Sequence, residues 1–273
     1  MPTIEVNGVA LAYELRGAAG PPLVLLHGSW GDHHNFNRVA PLLAGSFRLL
    51  SYDRRGHSAS QRPSGPVTMA DHVADLAALL EALDLAPAHL AGISKGGALA
   101  LNLAARHPQL IRSLAAHEPP LLDLLAGDLA RAPLYRETTR RLDAVAALLA
   151  QSEWARGAEL FVEEVALGPG SWARLSDGAR RTFVDNAPTF LDESRDPRGY
   201  GVDLAALATF DAPVLLTRGD QSPPYFAPVV DRLLATLPNA QTHTFAGAGH
   251  VPHASQPEAY AATIAAFVRS LGR

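Results

Sequence analysis

The stretch that decides the fold is His89-Leu90-Ala91-Gly92-Ile93-Ser94-Lys95-Gly96-Gly97. A short apolar run over His89–Ile93 predicts a buried strand, and the segment from Gly96 to Arg106, stopped by Pro108, predicts a helix. Between them lies Gly92-x-Ser94-x-Gly96. Serine between two glycines, with a strand before and a helix after, suits a sharp, strained turn that lifts the hydroxyl above the end of a sheet. By chance alone the pattern would be a Gly-rich turn. The strand–turn–helix context instead makes Ser94 a candidate nucleophile.

Working outward, the neighbouring segments predict the same kind of unit. Asn7-Gly8 separates Thr3–Val6 from Val9–Leu15 and reads as a hairpin turn. Leu23–Leu26, Phe47–Tyr52 and Ile111–His117 are further apolar strands. Thr68 with Asp71 starts a helix whose apolar positions Val73, Leu76, Leu79, Leu80 and Leu83 recur at helical spacing. Strands alternating with helices predict an α/β fold with a mostly parallel sheet. The pattern changes over 121–207, which reads as amphipathic helices and loops. Strands return at Pro213–Thr217 and Thr242–Phe245, with helices over Val229–Leu237 and Pro257–Leu271. The predicted organisation is a core domain of residues 1–120 and 208–273, with a helical cap over 121–207 inserted after the sixth strand.

Composition narrows the function. The chain has 273 residues, 48% hydrophobic and 18% charged, enough for a sizeable core. Lys plus Arg number 23 against 27 Asp plus Glu, a net charge of −4 that argues against nucleic-acid partners. There is no cysteine, which removes disulfides, thiolate nucleophiles and Cys-ligated metals and fits a reducing cytoplasm. No signal peptide or membrane-spanning run is visible, so a cytoplasmic location without membrane partners is expected. A homodimer is an open alternative.

Two further segments supply partners for Ser94. Gly247-Ala248-Gly249-His250 follows the last strand, and small residues there let a loop carry an imidazole to the serine. His250 is therefore the candidate general base, ahead of His253. His27-Gly28-Ser29-Trp30 follows an earlier strand. Acyl transfer needs two backbone N–H groups aimed at the developing oxyanion, and Ser29 and Lys95 are the candidates. Trp30 is the neighbouring alternative and a candidate substrate contact, while His27 is expected to make a structural hydrogen bond. Asp32-His33-His34 offers metal-binding side chains, but adjacent residues rarely converge on one ion and no metal is expected.

With His27-Gly28, Asp53-Arg54-Arg55-Gly56-His57-Ser58-Ala59-Ser60, Ser94 and Gly249-His250 in place, the chain resembles the α/β-hydrolase fold family. The resemblance implies a Ser–His–acid triad, a cap over the site, a small-molecule substrate and no cofactor. A serine at the elbow disfavours the dehalogenase and epoxide-hydrolase chemistries of that family, which use an aspartate there. The commonest acid position falls on Ser222, leaving Asp220 and Glu118 as competitors. Glu118 ends the sixth strand, a place from which some members supply the acid, and is preferred. His117-Glu118-Pro119 is also similar to the corresponding segment of the zearalenone lactonases. The resemblance thus implies hydrolysis of an ester or lactone, up to a zearalenone-type macrolactone. Trp154, Phe161, Trp172, Phe183 and Phe190 of the insert offer enough apolar surface to wall a pocket, with most of them expected to pack the cap's own core. Carbon–carbon bond hydrolysis, perhydrolysis and ligand binding with little turnover are the competing readings.

Overall fold

The computed structural model describes residues 1–272. Eight strands form one sheet: β1 (Thr3–Val6), β2 (Val9–Arg16), β3 (Pro22–Leu26), β4 (Arg48–Tyr52), β5 (Ala88–Ile93), β6 (Ile111–His117), β7 (Val214–Gly219) and β8 (Ala240–Phe245). Their spatial order is β1-β2-β4-β3-β5-β6-β7-β8. The hairpin strands β1 and β2 pair antiparallel, as do β2 and β4, and the remaining pairs are parallel.

The longer helices are α1 (Met69–Ala82), α2 (Lys95–Arg106), α3 (Ala132–Ala150), α4 (Trp154–Phe161), α5 (Asp177–Ser194), α6 (Phe226–Thr236) and α7 (Pro257–Ser270). Successive residues of a strand point to opposite faces, and the two faces bury separate cores. Val24 and Leu26 of β3 join α1, α2 and α6, whereas Leu23 and Leu25 pack with α7 on the other side. This explains why β3 and β5 are buried at every position and read as continuous apolar runs rather than alternating ones.

Helix α1 begins where its cap requires. Thr68 Oγ1 accepts from Asp71 N at 3.2 Å while Thr68 N donates to Asp71 Oδ2 at 2.9 Å, satisfying two donors that the helix cannot. Its buried stripe, including Leu76, Leu79 and Leu80, contributes about 1.5–3 kcal/mol per leucine, and Leu76→Ala would cost about 2–5 kcal/mol.

Several element ends differ from the sequence reading. β8 begins at Ala240 rather than Thr242, β7 continues through Arg218 to Gly219, and α6 begins at Phe226 rather than Val229. Ladder hydrogen bonding carries these strands into polar residues, and β8 is a largely exposed edge strand with little hydrophobic signal. Phe47 lies just before β4, buried in the α7-side core.

Helices α3, α4 and α5 belong to the insert between β6 and β7. It has its own apolar cluster, made by Val145, Leu149, Phe161, Val162, Ala187 and Phe190, and Trp30 enters that cluster from the sheet domain. Among the described residues, no helix is long and apolar enough to cross a membrane.

Candidate active site

The C-terminal ends of the parallel strands gather the site, as expected for an open α/β sheet. Ser94 links β5 to α2 with φ 50° and ψ −121°, a left-handed conformation that costs a non-glycine residue about 1–3 kcal/mol. The flanking glycines make the turn sterically possible. A Cβ on Gly92 would lie 2.3 Å from Gly96 O, and one on Gly96 only 2.1 Å from Leu26 O. Ser94 N donates to His117 O at 2.8 Å, fixing the turn to the neighbouring strand.

Glu118 is the residue after β6, at φ 43°, with its N–H donating to Thr217 O at 3.0 Å. Its carboxylate is completely buried. Oε1 accepts from Gly219 N at 2.7 Å and Oε2 lies 2.7 Å from His250 Nδ1. His117 Nε2 is 3.4 Å from the same Oε2. Burial alone would raise the pKa of Glu118, but the facing rings of His117 and His250 outweigh it and hold the group well below the usual carboxylate range. The His250 ring also stacks on Phe226, with centroids 4.2 Å apart and planes 14° from parallel. Two independent constraints therefore fix the imidazole.

Opposite the elbow, the β3 loop brings Gly28 against the serine: a Cβ there would be 3.2 Å from Ser94 Cβ and 3.8 Å from Ser94 Oγ. Ser29 follows and, with Ser94 and His250, lines one cavity. Lys95 opens α2, where a first-turn N–H has no partner within the helix and the helix dipole favours negative charge. The cavity is enclosed by Leu122, Leu142, Phe161, Val165, Phe190 and Tyr200, and at about 20 Å³ it has room for roughly one water.

Other expected residues lie elsewhere. Asp220 is exposed and accepts from Gly247 N at 2.8 Å, a turn contact that braces the loop leading to His250. Ser222, at the commonest acid position, has a buried hydroxyl with no partner. Trp30, expected to touch substrate, is instead wholly buried behind the cavity lining. Its ring packs 4.5 Å from Phe190 and 5.0 Å from Phe161, because an aromatic face next to the insert's apolar helices gains most from burial. Of the five insert aromatics, Phe161 and Phe190 line the cavity, while Trp154, Trp172 and Phe183 pack around the insert's cluster, the role expected for most of them.

His27 makes the expected structural bond, with Nδ1 2.9 Å from Gly28 O. His253 is buried beside Tyr260 and Phe36. His33 Nδ1 is bonded to Asp53 Oδ1 at 2.6 Å, and Asp32 accepts from His34 N and Ser58 Oγ. The donor atoms of Asp32, His33 and His34 lie close together, yet these bonds already use His33 and Asp32 within the loop.

Sequence reasoning missed Phe226, Tyr200, Tyr225 and the Lys95 side chain. Lys95 Nζ donates to Gly199 O at 2.7 Å and lies 4.9 Å over the Tyr200 ring, which lines the cavity. A lysine inside a nucleophile turn was one available signal. The tyrosines and Phe226 carry no local pattern that separates a site wall from a core.

Residues 21–257 match the model of the alpha/beta hydrolase fold, and the chain belongs to that family. It is 36% identical over 142 residues to the uncharacterized hydrolase YraK of Bacillus subtilis, a match covering 51% of this chain and about half (52%) of that relative's length. It is 28% identical to esterase YbfF of Escherichia coli, covering 87% of this chain and 89% of the relative. A thermophilic esterase from Thermogutta terrifontis has a similar structure, with a TM-score of 0.79 at 23% identity over 98% of this chain and 97% of that one.

Proposed function

We propose that the protein hydrolyses a carboxylic ester or lactone with a small, largely apolar acyl group through an acyl-enzyme. The observation that carries this reading is the Glu118–His250 contact of 2.7 Å at a cavity shared by His250 and Ser94. Ser94 Oγ attacks the carbonyl carbon and its proton passes to His250 Nε2. Glu118 holds the Nδ1–H tautomer and stabilises the imidazolium. The N–H groups of Ser29 and Lys95 receive the oxyanion. Collapse of the intermediate expels the alcohol, which takes the proton from His250. Water, activated by the same ring, then releases the acid.

The cavity supports the substrate class. Among the described residues, its walls are apolar apart from Ser29, Ser94, His250 and two tyrosines, and no acidic or basic chain other than His250 lines it. Helices α3–α5 act as the cap that supplies Leu142, Phe161 and Phe190 to these walls. The left-handed Ser94 favours an enzyme over a receptor, since binding alone would not need the strain. Initial rates on nitrophenyl esters of increasing chain length and on small lactones test the reading. Turnover of at least the short-chain esters is expected, and no turnover of any member would overturn it.

A further inference from the structure

The loop after β4 places Arg54 in the interior, 1% exposed. Its Nη1 donates to Glu193 Oε1 of α5 at 2.5 Å, and its Nη2 donates to Gly28 O at 3.2 Å. His72 Nε2 lies 2.7 Å from the same Glu193 oxygen and 2.9 Å from Arg54 Nη1. Arg54 N donates to His27 Nε2 at 3.0 Å. That ring nitrogen is therefore an acceptor, and the proton of His27 sits on Nδ1, from which it is donated to Gly28 O at 2.9 Å. The carbonyl oxygen of Gly28 thus receives two donors, one of them cationic. This carbonyl belongs to the same peptide unit as the N–H of Ser29.

We infer that Arg54 is a positioning residue for the oxyanion donor, its guanidinium anchored on Glu193 of the insert and holding the Gly28–Ser29 peptide so that the Ser29 N–H faces the reacting carbonyl. The inference rests on the acyl-transfer reading above. Filling both lone pairs of the Gly28 oxygen fixes the peptide plane, and a cationic donor at that oxygen polarises the N–H at the other end. The benefit grows as negative charge develops on the substrate oxygen, so it acts on the transition state more than on the bound ester. Glu193 lies one helical turn from Phe190, which lines the cavity. Neither Arg54 nor Glu193 itself lines the cavity.

Arg54→Met alone would leave Glu193 charged and unpaired in the interior, so the test uses Arg54→Met/Glu193→Leu, which removes both charges, beside Glu193→Gln, which keeps the guanidinium. Each variant is assayed with p-nitrophenyl butyrate. Each is also titrated with a short-chain alkyl trifluoromethyl ketone, to whose carbonyl carbon Ser94 Oγ adds to leave an oxyanion, and with the plain methyl ketone, which binds without adding. In the paired variant kcat and trifluoromethyl ketone affinity should fall together by about tenfold or more, as for loss of a group supporting an active-site donor. KM and methyl ketone affinity should stay within about twofold, since ground-state contacts are untouched. Glu193→Gln leaves the guanidinium without its counter-charge and should lower stability, but the folded protein should retain most of kcat, because an amide oxygen still accepts from Arg54. If the paired variant does not fold, Arg54→Lys, which can reach Glu193 but not also span to Gly28 O, reads the same comparison. Equal loss for both ketones, or no loss for either in a folded variant, would overturn the role of Arg54. A wild type that binds the trifluoromethyl ketone no better than the methyl ketone would overturn the acyl-transfer reading instead.

Discussion

Glu118 Oε2 lies 2.7 Å from His250 Nδ1, although 132 residues separate the two in the chain. The contact is buried, and the other carboxylate oxygen is held by Gly219 N at 2.7 Å. The carboxylate therefore has one orientation, and it gives the imidazole one tautomer: the proton on Nδ1, the lone pair on Nε2. Asp220 has no such contact and is committed to the turn at Gly247.

Glu118→Gln should consequently lower kcat by about ten-thousand-fold, the loss typical of an acid that fixes a catalytic tautomer. Asp220→Asn keeps an acceptor for Gly247 N and should change kcat by less than about threefold, within the range of a surface turn contact. Steady-state kinetics of both purified variants check the ranking, and the reverse order would move the acid to the later loop.

The cavity prediction separates lining from support. Leu142 lines the cavity, so Leu142→Ala, which removes three carbons, should raise the preference for a longer acyl ester over acetyl by about tenfold or more, since even one methylene in a pocket is worth about that. Trp30 lies behind the lining and is fully buried. Trp30→Phe should leave that preference unchanged while lowering stability by about 1–3 kcal/mol through the void left in the aromatic cluster. Competition assays with mixed-chain esters, alongside thermal unfolding, distinguish the two. An altered chain-length preference in Trp30→Phe would return that ring to the site.

Stability should decline on acidification for a reason that can be assigned. Burial holds His27, His57, His72, His117 and His253 below the ordinary histidine value, His253 down to about 3. In the unfolded chain these rings protonate near pH 6.5. The folded state is therefore fully stable above that pH and loses about 1.4 kcal/mol per pH unit per such ring below it, until the folded value is reached. His33, raised by its bond to Asp53, opposes this in part. Glu118 adds its own loss lower still, since its folded value is depressed and its contribution disappears only as pH falls below the ordinary carboxylate range. His253→Phe removes one titrating ring and its unpaired Nδ1 while keeping an aromatic between Phe36 and Tyr260. It should stabilise the protein at pH 5 more than at pH 7.5. Chemical denaturation at the two pH values measures this, and an equal effect at both would contradict it.

Much of this arrangement is legible in the linear sequence because each decisive element carries a local signal. The continuous apolar runs of β3 and β5 reflect burial on both faces, and the capping pair Thr68–Asp71 marks the start of α1. Gly92 and Gly96 mark the elbow, where backbone approaches to within contact distance. Glu118 is legible through its place at a strand end beside Ser94, and parallel pairing of β5 with β6 brings the two ends together. What escapes is set by long-range packing. The stacking of Phe226 on His250 and the burial of Trp30 depend on where α6 and the insert settle. So does the link from Arg54 to Glu193, which joins residues 139 apart. Edge strand β8, exposed along most of its length, also lacks the hydrophobic contrast that reveals its inner neighbours.

The account rests on a covalent acyl-enzyme at Ser94, and the most direct measurement is mass spectrometry of the protein quenched within its first turnovers of p-nitrophenyl acetate. An acetyl group on the peptide containing Ser94 is expected, formed with a burst of nitrophenol equal to the enzyme concentration. Both should be absent from Ser94→Ala, whose kcat should fall by about a million-fold. Steady turnover without an acylated Ser94, retained in Ser94→Ala, would contradict the mechanism.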